Sequence, residues 1–188
     1  MGDNTPNATQ DMGLTAADLQ QLTASYTANM EALRASLLSA GKFAWQYLWT
    51  GGAADAKGST CPSPLVSKAS CAADLRALCN ASSPQYTQRA MMYSFSPGGC
   101  RTDPSSLTEL QQDLAGFLLS RGPFAWIGHG WLGCSKDYAF PPELSADYGE
   151  PSGLCSETAP GSSIFARDYS KASVQLDCNS WQGSITMK

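Results

Sequence analysis

The chain has 188 residues, 43% hydrophobic and 15% charged, with a formal net charge of -4. That length suits one domain with a sizeable core, and so apolar a composition excludes wholesale disorder. The mildly acidic balance, with Lys and Arg scattered, excludes the footprint of a nucleic-acid binder, and no apolar run is long enough to span a bilayer.

The first residues, Met1-Gly2-Asp3-Asn4-Thr5-Pro6-Asn7, are polar and do not form a signal peptide. Thr15 reads as a helix N-cap, with Asp18 at the capping-box position three residues on. Leu22, Tyr26, Met30, Leu33 and Leu37 follow at spacings of four, four, three and four, which predicts a long one-sided helix. Gly41 is its expected C′ residue. From Phe43 to Trp49 only Gln46 interrupts the apolar run, the pattern of a strand buried on both faces.

Thr50 to Ser70 is a long connection rich in Gly, Ala, Ser and Pro. Ser70 can cap a short helix through Cys71, Leu75, Leu78 and Cys79. Ala90 to Phe95 reads as a second apolar strand, ended by Ser96-Pro97-Gly98-Gly99. Thr108 with Gln111 suggests another capping box, ahead of an apolar stripe through Leu110, Leu114, Phe117 and Leu118. Gly122 ends that helix and Pro123 blocks its continuation. Phe124-Ala125-Trp126-Ile127-Gly128-His129-Gly130-Trp131 then opens a third strand, echoing Phe43-Ala44-Trp45. Cys134 to Ser163 is loop-like, and Ile164 to Lys188 alternates loosely, as a β-hairpin or pair of extended segments would.

Helix, strand, helix, strand, helix, strand and a β tail predict an α/β protein whose strands are joined by right-handed crossovers. Three parallel strands are few for a sheet covered on both faces. The pattern fits the last three βα units of a (β/α)8 TIM-like barrel with a C-terminal β hairpin, a fold that typically needs about 250 residues. The expected organisation is a single domain over 1–188, the C-terminal fragment of a larger barrel, with βα units over 14–133 and a loop plus β tail over 134–188.

Seven cysteines, Cys61, Cys71, Cys79, Cys100, Cys134, Cys155 and Cys178, are many for a reducing compartment, and none forms a C-x-x-C pair. Disulfides that staple long loops are favoured over a metal site, and the odd count leaves one thiol over. With the sequons Asn7-Ala8-Thr9 and Asn80-Ala81-Ser82, this points to an extracellular or secretory-pathway protein whose signal peptide lies upstream.

In a parallel α/β protein the site lies at the carboxyl ends of the strands. The residues there that suit a ligand are Gln46, Trp49, Tyr93, His129 and Trp131. Aromatic faces stack on sugar rings while amides meet their hydroxyls, so the expected partner is a poly- or oligosaccharide, with no organic cofactor. His129 is the one histidine, and no second His or spaced Cys accompanies it as a metal ligand. There is no Gly-x-Ser-x-Gly elbow, phosphate loop or dinucleotide fingerprint. Glycoside hydrolysis uses two carboxylates, and none stands at a predicted strand end. In Asp147-Tyr148-Gly149-Glu150-Pro151 a carboxylate pair sits next to a tight turn, and turn chemistry explains Asp147 and Gly149 on its own, so catalytic residues stay unassigned.

Asp11-Met12-Gly13-Leu14, the two Phe-Ala-Trp strands, Asp147-Tyr148-Gly149-Glu150-Pro151, Glu157-Thr158-Ala159-Pro160-Gly161 and Arg167-Asp168-Tyr169-Ser170-Lys171-Ala172 occur in that order. Together they resemble the C-terminal part of hypothetical glycosyl-hydrolase-like TIM-barrel proteins. The resemblance implies a carbohydrate substrate and a strand ending in consecutive aspartates ahead of Asp11. No such strand is present here, so the implied acid/base pair falls outside this sequence and its own activity is left open. The resemblance also implies a structural role for Arg167. The rival reading is a secreted, disulfide-stapled, non-catalytic domain that binds carbohydrate or protein.

Overall fold

A computed structural model describes residues 13–42, 45–48, 66, 68–83, 86, 89–93, 109–128 and 141–188. The chain divides into two compact units, Met1–Ala44 and Trp45–Lys188.

The first unit is built on helix α1 (Ala16–Ser39). The predicted capping box forms: Thr15 Oγ1 accepts from the Asp18 amide at 3.2 Å, and Asp18 Oδ2 accepts from the Thr15 amide at 2.8 Å. Two otherwise orphaned N–H groups are thereby satisfied by one residue pair. At the other end Gly41 takes φ +66°. Its amide donates to Leu38 O at 3.0 Å, and the Lys42 amide donates to Leu37 O at 2.8 Å. That is a Schellman closure, which favours a residue without Cβ at the left-handed position. Within its own unit α1 buries none of its residues.

The second unit holds two sheets. Strands β1 (Trp45–Leu48), β2 (Arg89–Tyr93) and β3 (Ala125–Gly128) are parallel, in the order β1-β2-β3. Helix α2 (Cys71–Leu78) lies in sequence between β1 and β2, and helix α3 (Leu110–Ser120) between β2 and β3. The Ser70 hydroxyl makes no cap bond to a backbone amide of α2; it donates to the Asp74 carboxylate at 2.5 Å, while Ser70 O accepts from the Asp74 amide at 2.9 Å. After a 3-10 turn at Pro142–Ser145 come β4 (Ser156–Glu157), β5 (Ile164–Asp168), β6 (Ala172–Asp177) and β7 (Gln182–Met187). These four form an antiparallel sheet in sequence order.

The expected partial (β/α)8 barrel is overturned. A barrel needs each strand to join its neighbour by a crossover until the ring closes. Here the chain from β4 onward forms an open antiparallel sheet whose outer strands, among the described residues, are β4 and β7. The turn from Asp168 to Ala172 is too short for a crossover and forces antiparallel pairing, as does the turn from Asp177 to Gln182. The predicted hairpin is one part of this larger sheet. Helix α3, expected on a barrel's outer ring, packs against β5, β6 and β7.

Packing explains this placement. Every residue of α3 from Asp113 to Ser120 is buried. Leu114, Ala115, Leu118 and Leu119 share one core with Leu75 of α2, with Phe165 and Tyr169, with Val174 and Leu176 of β6, and with Trp181. Along β5 and β6 buried and partly exposed positions alternate, the signature of a sheet with one covered face. A Cβ at Gly183 would lie 2.8 Å from Gln111 O and 3.1 Å from the Ala115 methyl, so glycine in β7 permits the close approach of α3.

Two disulfides tie α2 into this core. Cys71 is bonded to Cys178 and Cys79 to Cys155, with Cα separations of 5.5 and 5.1 Å. Both span long loops, of 107 and 76 residues, where cross-linking restricts the unfolded chain most. Cys61, Cys100 and Cys134 lie outside the described residues. Peptide mapping of the unreduced protein is expected to find Cys71 linked to Cys178 and Cys79 to Cys155. Replacing either pair by serine is expected to cost about 3–5 kcal/mol in denaturant unfolding. Any other pairing of these four residues would contradict the fold.

Candidate functional site

The register of the parallel sheet brings three strand ends to one edge. Leu48 pairs with Met92, and Tyr93 pairs with Gly128. Of the residues predicted to contact a ligand, Gln46 lies within β1, in register with Ala90, and Tyr93 is the last residue of β2. Trp49, His129 and Trp131 lie outside the described residues. In sequence Trp49 follows directly on the last residue of β1, and His129 on the last residue of β3.

The carboxylates of the antiparallel sheet serve its turns. Asp147 Oδ1 accepts from the Gly149 amide at 3.0 Å, and its carboxylate pairs with Lys171. Gly149 has φ +79° and lies against Ser170, whose hydroxyl accepts from the Glu150 amide at 3.0 Å. Turn chemistry thus accounts for Asp147 and Gly149, as the sequence predicts, and Glu150 joins the turn through its backbone. Glu157 accepts from Arg76 Nη2 at 2.6 Å, from the Ser163 amide at 3.0 Å and from the Gly161 amide at 3.2 Å. One carboxylate therefore closes the loop between β4 and β5 and anchors α2 to it. Asp168 accepts from Ser173 and Lys188, and Asp177 from Ser180 and the Asn179 amide.

These partners hold all four carboxyls below their ordinary values. The Lys171 bond acts first on Asp147, the Arg76 bond on Glu157, the Ser173 hydroxyl on Asp168 and the Ser180 hydroxyl on Asp177. A glycosidase's general acid needs the opposite shift. These groups are built to stay ionised and to hold turns.

Arg167 is the least expected side chain of the sheet. It sits at an inward position of β5, only 6% exposed. Its Nε donates to Gly153 O at 2.8 Å. Its Nη1 reaches the last turn of α3, at 3.1 Å from Leu118 O, 3.1 Å from Leu119 O and 2.7 Å from Arg121 O. Cations are favoured at a helix C-terminus, where carbonyls lack partners. Tyr169 adds its phenol to the same end, donating to Leu118 O at 2.6 Å, and burial pushes its pKa up to about 12. The structural role that the resemblance implies for Arg167 agrees with this geometry.

A groove of about 310 Å³ runs beside β7, lined by Gln111, Pro142, Glu143, Tyr148, Ile185 and Met187. Tyr148 is nearly buried in its wall and donates to Glu143 O at 2.6 Å. The sequence does not signal this groove, because its walls come from three distant segments. Arg167 was within reach: it replaces an apolar residue at an inward step of the alternation Ile164-Phe165-Ala166-Arg167. Among the described residues no helix is long and apolar enough to cross a membrane.

No family model and no curated protein matches the chain.

Replacing Arg167 by leucine removes the guanidinium donor from Leu119 O and Arg121 O and leaves Leu118 O to the Tyr169 hydroxyl. Denaturant unfolding is expected to show a loss of about 3 kcal/mol or more, with Arg167→Lys recovering part of it at most, because an ammonium cannot span the same acceptors. A loss under about 1 kcal/mol would show that solvent serves those carbonyls equally well. Acid is expected to destabilise the sheet as well. Because the folded values of Glu157, Asp147, Asp168 and Asp177 are lowered, their contribution is complete above the ordinary carboxylate range. It is lost as the pH falls through the lowered values, so melting temperatures should drop between about pH 5 and pH 3. Glu157→Gln is expected to flatten part of that slope.

Proposed function

We propose that this chain is a disulfide-braced carbohydrate-binding domain of an extracellular or secretory compartment, binding sugar without hydrolysing it. The observation that carries the reading is the register that ends β1, β2 and β3 at one edge. Ligands of parallel α/β sheets bind beyond the carboxyl ends of the strands. The residues at and directly after those ends are rich in aromatic rings and include His129, Trp49 and Trp131. Such rings offer flat apolar faces with a polar edge, which matches a sugar with one face of C–H bonds and a rim of hydroxyls. The motif resemblance to glycosyl-hydrolase-like proteins supplies the same ligand class.

Binding is favoured over hydrolysis because hydrolysis uses two carboxylates, one held protonated near neutral pH. Asp147, Glu157, Asp168 and Asp177 are instead held ionised by the turns they close. The disulfides Cys71–Cys178 and Cys79–Cys155 are compatible with an extracellular protein.

A glycan array followed by titration calorimetry tests the proposal. Saturable binding to at least one neutral oligosaccharide is expected. Trp49→Ala and Trp131→Ala should each weaken it roughly 5- to 10-fold, the worth of one aromatic stack, at unchanged melting temperature. Absence of binding across the array, or binding indifferent to both substitutions, would end the proposal. Release of reducing sugar above the buffer level would make the chain an enzyme and overturn the non-hydrolytic part.

A further inference from the structure

The amino ends of β2 and β3 collect a different chemistry from their carboxyl ends. Tyr86 precedes β2 by three residues, Arg121 precedes β3, and Arg167 reaches across from β5 to hydrogen-bond Arg121 O at 2.7 Å. The Arg167 guanidinium lies 5.6 Å from the centre of the Tyr86 ring and 5.5 Å from that of Tyr169. Arg121 lies 5.9 Å from the Phe117 ring. Both guanidinium charges act on the Tyr86 phenol, against the upward push of its burial.

Among the described residues the cluster is electrically one-sided. The ion pairs among the described residues join Arg76 to Glu157, Lys171 to Asp147 and Lys188 to Asp168, and none includes Arg121 or Arg167. The end of α3 offsets part of the Arg167 charge, because its carbonyls accept from Nη1. Among the described residues no ion pair offsets the charge of Arg121. Its Nε and the Tyr86 hydroxyl are both buried and without a hydrogen-bond partner. Each orphaned donor of this kind costs about 1–3 kcal/mol. Two unmet donors beside two positive charges lack one thing, an acceptor that carries negative charge.

We propose that Tyr86, Arg121 and Arg167 form a receptor for an oxyanion, a carboxylate or sulfate group, at the amino ends of the parallel strands. The anion accepts from Arg121 Nε–H and Tyr86 O–H, and Arg167 adds its charge from behind while continuing to cap α3. Guanidinium groups bind carboxylate and sulfate well because their N–H groups are planar, fixed and weakly hydrated. The group arrives either on an acidic sugar, as a uronate or sulfate ester, or as a free inorganic ion. This site stands apart from the carboxyl edge, so it does not depend on the binding of neutral sugar there.

Titration calorimetry of the oxidised full chain tests this, with sodium sulfate and with an oligogalacturonate, each at ionic strength held constant with chloride. One saturable site is expected. Arg121→Gln and Tyr86→Phe should each weaken it at least about tenfold without lowering the melting temperature, since each removes an atom that lacks a partner in the folded chain. Competition between sulfate and the oligogalacturonate supports a receptor for acidic glycans. Saturable binding of sulfate alone supports a receptor for a small free anion. Binding of neither, or affinity unchanged in both variants, overturns the proposal.

Discussion

The last turn of α3 points its carbonyls at a single guanidinium, and much of the second unit depends on that contact. A helix whose final turns are buried cannot leave its terminal C=O groups to solvent. Arg167 supplies the donors from an inward position of β5, so the buried cation and the buried helix end compensate one another. Tyr169 flanks the pair with a ring and a hydroxyl. Because Arg121 O is one of the acceptors, the contact also fixes where the chain leaves α3 and turns toward β3. One side chain thereby joins the antiparallel sheet, the helix that covers it and the parallel strands.

The same economy runs through the loops. Glu157 holds its own loop and, through Arg76, the helix α2. The Arg76 guanidinium also lies 6.0 Å from the centre of the Phe165 ring, so the same head group meets a carboxylate and an aromatic face of the core. Asp147 and Gly149 form a turn against Ser170 and Lys171, which carries the chain from β5 to β6. Carboxylates that look in sequence like candidates for chemistry are, in place, the fasteners of tight turns.

What could be read from sequence was local. The α1 cap at Thr15 and Asp18, the closure at Gly41 and the apolar stripe of α3 depend on residues within a few positions of one another, and each formed as expected. The repeated helix–glycine–strand unit also carried enough information for three parallel strands. The second sheet was harder, because β4 is only two residues long and β7 leaves little periodic trace. β7 reads Gln182-Gly183-Ser184-Ile185-Thr186-Met187, mostly exposed, with a glycine chosen for the helix above it. Extending the helix–strand repeat into a barrel ignored how short the later turns are. For the site, the backbone positions of Gln46 and Tyr93 follow from strand register, whereas the meeting of Arg167 with Tyr86 and with Arg121 O depends on contacts across 81 and 46 residues that no spacing encodes.

The two disulfides are nested, since the Cys71–Cys178 loop contains the whole of the Cys79–Cys155 loop. A single peptide-bond cut anywhere between Cys79 and Cys155 therefore leaves the two pieces covalently joined at both bridges. A secreted protease that nicks this stretch would change the chain's connectivity without releasing a fragment. The α2 segment would stay fastened beside β4 and β6; before reduction the mass would rise only by the one water of hydrolysis, and two fragments would separate only after it.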